Sequence, residues 1–174
     1  MRHSVVSSRA VLGFGLVWLF GLSLATDAKA KQRPGQLSKQ TVLAGHFPSR
    51  ISFKLMAAMK LAASRLVEHP ACADLFLPLA DDPLQALYLT SYHLAGVGVE
   101  TRACEAKGVV AYTTVGGHRT HLCPPLFERL DNRQAAVVLL HEALHRAGLT
   151  EWPPDPNGLT SAEINSMVIR GCNL

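Results

Sequence analysis

From Asp131 to Gly148 the chain has little freedom in what it can become. Asp131 and Asn132 are good helix starters, and Gln134-Ala-Ala-Val-Val-Leu-Leu140 is an unbroken run of helix-forming, mostly apolar residues. Val137, Leu140 and Leu144 recur at helical spacing and would bury one side. Gly148 stands where a helix end wants a left-handed residue. Inside this predicted helix lies His141-Glu142-Ala143-Leu144-His145. Residues i and i+4 share a helix face, one turn apart, so both imidazoles can point at one metal ion. Two neutral nitrogen donors at that spacing suit Zn2+. Glu142, beside the first ligand, does not need to coordinate and can serve as general base toward a metal-activated water. A His-Glu pair interrupting an apolar run would be costly to bury without such a partner.

The same residues carry a resemblance. His141 to Glu151 reads H-E-x-x-H-x-x-G-x-x-E, which resembles the metzincin pattern H-E-x-x-H-x-x-G-x-x-H of the zincin metallopeptidases. Glu151 stands at the third-ligand position, where His is usual and Asp occurs. A longer stretch includes Leu122-Cys123-Pro124-Pro125, the motif itself, Trp152-Pro153-Pro154, Ser161-Ala162-Glu163 and Cys172. It is similar to small secreted bacterial proteins of zincin-like type. The resemblance covers about the last third of the chain and implies a zinc-hydrolase fold, with peptidase activity as the expected chemistry.

A catalytic zinc takes three protein ligands and keeps one position open. Glu151 is the leading third ligand, because Gly148 lets the chain fold back and a carboxylate three residues later can return to the metal. Glu163 is the second choice, by analogy with gluzincins, although Thr160-Ser-Ala-Glu163 also reads as a capping box. Asp155 is the third, by analogy with aspzincins. The choice among them stays open at this point.

Export is written into the first 30 residues. Arg2, His3 and Arg9 precede an uncharged apolar run from Ala10 to Leu24, and Ala28-Lys29-Ala30 offers a small-x-small cleavage site. The run is shorter than the roughly 20 residues that span a bilayer. The expected mature protein is secreted or periplasmic, with no stable membrane anchor. Residues 31–47 read as a flexible lead-in, and residues 48–174 as the zincin-like domain. With 48% hydrophobic and 17% charged residues the chain is not disordered. A net charge of +4, without a basic run or aromatic-basic stripe, excludes a nucleic-acid partner as the expectation. Cys72, Cys104, Cys123 and Cys172 all lie in the mature part and predict two disulfides. Of the three possible pairings, Cys72–Cys104 with Cys123–Cys172 is the expected one.

The remaining elements follow from period and punctuation. Ser49 can cap a helix running to about Glu68 with Ile51, Leu55, Met59, Ala62 and Leu66 as its buried stripe, and His69-Pro70 ends it. Cys72 to Leu79 reads as a short apolar turn. Asp82-Pro83 begins a second helix over residues 84–94, with His93 near its end. The stretch from Gly96 to Lys107 has no clear period. Val109 to Val115 and His118 to Cys123 are strand-like runs around Gly116-Gly117 and predict a β-hairpin. A short helix after Thr160 closes the chain. The expected fold class is α+β: mainly helical, with one small antiparallel hairpin or sheet beside the H-E-x-x-H helix.

The functional expectation is an exported zinc-dependent hydrolase, a metallopeptidase acting on a peptide or protein substrate. His141, His145 and Glu151 would ligate Zn2+, and Glu142 would be the base. Tyr112, His118 and His121 are candidate oxyanion stabilisers if the hairpin lines the cleft. The alternative is a non-catalytic exported binding protein that retains the fold.

Overall fold

The computed structural model describes residues 47–95, 99–105 and 108–174. The expected signal segment and all of the lead-in except Phe47 lie outside the described residues. Phe47 itself is buried and belongs to the core.

Helix α1 (Ser49–Glu68) forms where expected and buries Ile51, Leu55, Ala58, Met59, Ala62 and Leu66. Ser49 is not its cap: Pro48 holds that position, and no side chain bonds the first turn. Proline then starts α2 (Pro70–Ala73), followed by a 3-10 stretch over Asp74–Leu79. Asp82 caps α3 (Pro83–Tyr88), its carboxylate accepting from the Gln85 N–H at 2.9 Å. This helix is shorter than predicted. The Thr90 hydroxyl donates to the Ala86 carbonyl at 2.8 Å. Residues 91–94, expected as helix, instead form strand β1 (Ser91–Leu94). Tyr92 explains the change: it is almost wholly buried on the inner sheet face, and its hydroxyl donates to the Leu87 carbonyl. An aromatic, β-prone segment gains more from that packing than from continuing the helix.

Helix α4 (Val99–Glu105) occupies a region with no periodic signal. The predicted hairpin is present as β2 (Ala111–Thr113) and β3 (Arg119–Leu122), paired antiparallel. Strand β1 adds to the far side of β3 in parallel, giving the order β1-β3-β2. Among the described residues, strand β2 is therefore an edge. The Gly116 N–H in the hairpin turn donates to the His145 carbonyl at 2.9 Å and fixes the hairpin to the central helix. On the sheet face away from Thr113, His121 stacks between Tyr112 at 4.8 Å and His93 at 5.5 Å.

After α5 (Pro124–Phe127) comes α6 (Asn132–Arg146), which carries the motif. Its capping box is complete: the Asp131 carboxylate accepts from the Gln134 N–H at 2.7 Å, and the Asp131 N–H donates to the Gln134 side chain at 3.0 Å. Its apolar spacing predicts a single buried stripe. Instead α6 is buried nearly all round from Ala135 to His145, which makes it the centre of the core. It packs against α1 and α3, strand β2 and the terminal helix α7 (Ser161–Cys172). Each of Leu139, Leu140 and Leu144 contributes about 1.5–3 kcal/mol by burial. Two short strands, β4 (Glu151–Trp152) and β5 (Leu159–Thr160), pair in parallel between α6 and α7. The architecture is a mainly helical α+β fold with a small mixed sheet. No helix among the described residues is long and apolar enough to cross a membrane.

The disulfides are Cys72–Cys172 and Cys104–Cys123, which corrects the expected pairing. The reason is tertiary. Helix α7 ends against α2, where Gly171 lies against the Ala71 carbonyl, and α4 ends beside the exit of β3. No cysteine is free, and two disulfides fit an oxidising compartment.

Candidate metal centre

The C-terminus of α6 is a Schellman motif. The Gly148 N–H donates to the His145 carbonyl at 3.0 Å, and the Leu149 N–H donates to the Leu144 carbonyl at 2.9 Å. Gly148 has φ +111°, a backbone region that side chains rarely tolerate. This turn reverses the chain and delivers two groups to the histidines. The first is the Leu149 carbonyl, which lies 2.8 Å from His145 Nδ1. The second is Glu151, whose Oε2 lies 3.1 Å from His145 Nε2 and 3.9 Å from His141 Nε2.

The ring nitrogens divide their work. A carbonyl can only accept, so His145 Nδ1 donates to Leu149 and leaves the Nε2 lone pair directed inward. His141 Nδ1 meets Asn165 Oδ1 at 2.9 Å, an arrangement of the same kind. The two Nε2 atoms face each other at 2.9 Å. Two imidazole lone pairs and a carboxylate oxygen thus converge, and acceptors repel one another unless a proton or a cation lies between them. His141, His145 and Glu151 could together hold a metal ion, their ligand atoms lying within 4.8 Å of one another. Burial, followed by the neighbouring His145, lowers the His141 pKa below its ordinary value. That keeps a neutral nitrogen available for a metal.

Glu142 turns toward the sheet and is 5% exposed. The Thr113 hydroxyl hydrogen-bonds it, and Thr113 Oγ1 is in turn 2.6 Å from Thr120 Oγ1. Its Oε2 is buried with no hydrogen-bond partner. Burial pushes the carboxyl up to about 8; the Thr113 hydrogen bond opposes this, and the Glu151 charge adds to it. A buried oxygen without a partner is expensive, and the residue that carries it lines a cleft of about 610 Å3. The hairpin from Gly108 to Val115, the motif face of α6, the loop after Glu151 and the start of α7 line that cleft.

The other predicted residues fall elsewhere. Glu163 closes the α7 capping box, accepting from the Thr160 N–H at 2.8 Å and the Thr160 hydroxyl at 2.7 Å. Those bonds hold its pKa below the ordinary carboxylate range, and it takes no part in the His–His–Glu group. Asp155 lines the cleft but lies outside the ligand group as well. Among the oxyanion candidates, His118 is exposed in the hairpin turn, and neither His118 nor His121 lines the cleft. Tyr112 does line it, with its ring stacked on His121.

Three contributors were not found in the sequence: Asn165, the Leu149 carbonyl and Thr113. Asn165 follows the capping box by two residues, and that spacing was the only available hint. A fourth is Gly158. A Cβ there would come within 2.6 Å of the Glu151 carbonyl carbon, so β5 can pass Glu151 only without a side chain. No protein-family model matches the chain, and no curated protein sequence or solved structure matches it.

Proposed function

We propose that the protein is an exported zinc-dependent hydrolase that cleaves peptide bonds, with His141, His145 and Glu151 as zinc ligands and Glu142 as general base. The observation that carries this reading is the convergence of two Nε2 lone pairs and one carboxylate oxygen, with both Nδ1 atoms engaged elsewhere. The triangle has edges of 2.9, 3.1 and 3.9 Å. These bracket the roughly 3.3 Å between ligands on a tetrahedral zinc with bonds of ~2.0–2.1 Å. Two nitrogens and one carboxylate leave a fourth position open, as a catalytic site requires.

Bound there, the ion would acidify water and polarise a carbonyl. The chain supplies the rest. Asn165 and the Leu149 carbonyl orient the two imidazoles. Glu142 does not belong to the ligand set, and its carboxylate, with one oxygen lacking a hydrogen-bond partner, would take a proton from water and pass it to a leaving amine. A cation beside Glu142 draws its raised pKa back toward the ionised form a base needs. The lining from Val109 to Thr113 includes β2, which ends the sheet among the described residues, and an extended peptide could meet such an edge through backbone hydrogen bonds.

Elemental analysis and peptide hydrolysis test the reading together. The expected result is about one zinc per chain, lost in Glu151→Ala and kept in Glu163→Ala. Glu142→Gln should retain zinc and lose at least a hundredfold in kcat. Absence of zinc after zinc is supplied would overturn the reading. Zinc binding without hydrolysis of any peptide would leave a metal-containing binding protein.

A further inference from the structure

The cleft has a distinctive distribution of charge. Its acidic lining residues are Glu142, Glu151 and Asp155, and among the described residues no Lys or Arg lines it. Glu151 belongs to the His–His–Glu group and Glu142 neighbours it, so Asp155 is the lining carboxylate that stands outside that group.

Asp155 is also held in place. Its backbone N–H donates to the Glu151 carbonyl at 3.1 Å, and its carbonyl accepts from the Gly158 N–H at 3.0 Å. One carboxylate oxygen, Oδ1, accepts from the Asn157 N–H at 2.9 Å. The second oxygen has no bond within the described residues, and no cation among them pairs with this side chain. The same cleft is also lined by the apolar residues Val109, Val115, Pro153 and Pro154. A carboxylate already fixed by a turn needs little further ordering to bind a cation.

We infer that Asp155 makes this cleft selective for substrates carrying a cationic group, a guanidinium or an ammonium, beside the bond placed at the metal centre. The inference rests on the hydrolase reading and deepens it. Two sources offer that chemistry: an Arg or Lys side chain within the peptide, and a free N-terminal amine. The same lining disfavours acidic peptides and a free C-terminal carboxylate, because among the described residues neither meets a Lys or Arg there.

Equilibrium binding to zinc-loaded Glu142→Gln protein tests it without turnover. The probes are acetylated, amidated pentapeptides with one Arg, Gln or Glu at each position in turn, and a neutral pentapeptide with and without its acetyl cap. The expected result is that one Arg position, or the uncapped amine, binds about three- to tenfold tighter than its neutral counterpart. Adding Asp155→Asn, which keeps the Oδ1 acceptor for the turn, should reduce that advantage to about onefold with zinc content unchanged. Adding Asp155→Lys should turn the preference toward Glu. The arm showing the advantage identifies the source of the cation. Equal binding of Arg and Gln peptides, or an advantage that survives Asp155→Asn, overturns the inference and leaves the hydrolase reading intact. Failure of every peptide to bind a zinc-loaded protein overturns both.

Discussion

Gly158 shows how far a single residue can act from the chemistry it serves. Its missing Cβ lets β5 lie against the backbone of Glu151, where an added methyl would stand only 2.6–2.9 Å from three Glu151 backbone atoms. Gly158→Ala should therefore push Glu151 away from the histidines. Zinc affinity should fall by about tenfold or more, with α1 and α6 intact by circular dichroism. An unchanged affinity would mean that Glu151 is not a ligand or that the turn yields freely. Asn165 acts in a different way: it holds a ring rather than a strand. Asn165→Ala leaves His141 Nδ1 without its acceptor, and competition with a fluorescent chelator should show zinc binding weaker by about 10–100-fold. Full affinity in that variant would show that packing alone orients His141.

At the scale of elements, α6 and α7 divide the work of building the site. Helix α6 supplies the two histidines and Glu142, and its Schellman end returns the chain to them. Helix α7 supplies Asn165, and its start is fixed by the Thr160–Glu163 capping box. Glu163 has a folded-state pKa below the ordinary value of 4.5, because the Thr160 hydroxyl and N–H favour the ionised form. The stabilisation is thus fully present above about pH 4.5 and is lost as pH falls through the lowered folded value. Thermal melts of the parent and Glu163→Gln should differ at about pH 6 and draw together at about pH 3. A gap that persists at low pH would show that the cap acts through hydrogen-bond geometry and not through charge.

Across the whole molecule, the two disulfides close loops of very different length. Cys72–Cys172 spans 100 residues and joins α2 to the end of α7, while Cys104–Cys123 spans 19 and encloses both hairpin strands, β2 and β3. Loop entropy assigns about 4–5 kcal/mol to the first and about 3 kcal/mol to the second. Both half-cystines of the long loop are also wholly buried. In denaturant titrations of metal-free protein, the Cys72→Ala/Cys172→Ala variant should lose more stability than Cys104→Ala/Cys123→Ala. The reverse order would place the main constraint at the hairpin and not between α2 and α7.

Local chemistry made part of this protein legible from the sequence. A capping aspartate, an apolar helical run and a glycine at the end specify α6, because each acts on its own few residues. The i, i+4 histidines then share a face by helix geometry alone, and the β-branched runs around Gly116-Gly117 specify a hairpin in the same local way. Tyr92 was not legible, because its place in a strand depends on a partner, Thr120, that lies 28 residues later. The disulfide pairing was hidden for the same reason, since cysteine spacing says nothing about which helix ends meet. Three carboxylates, Glu151, Glu163 and Asp155, were candidates for the metal, and the sequence already ranked Glu151 first because Gly148 lets the chain fold back. The tertiary structure separates them: the Gly148 turn carries Glu151 to the histidines, Thr160 engages Glu163, and the Asp155–Gly158 turn leaves Asp155 outside the His–His–Glu group. The sequence determined which donor types exist and which two share a helix face, because those are short-range facts. The fold decided which donors converge, because convergence depends on packing between segments that are distant along the chain.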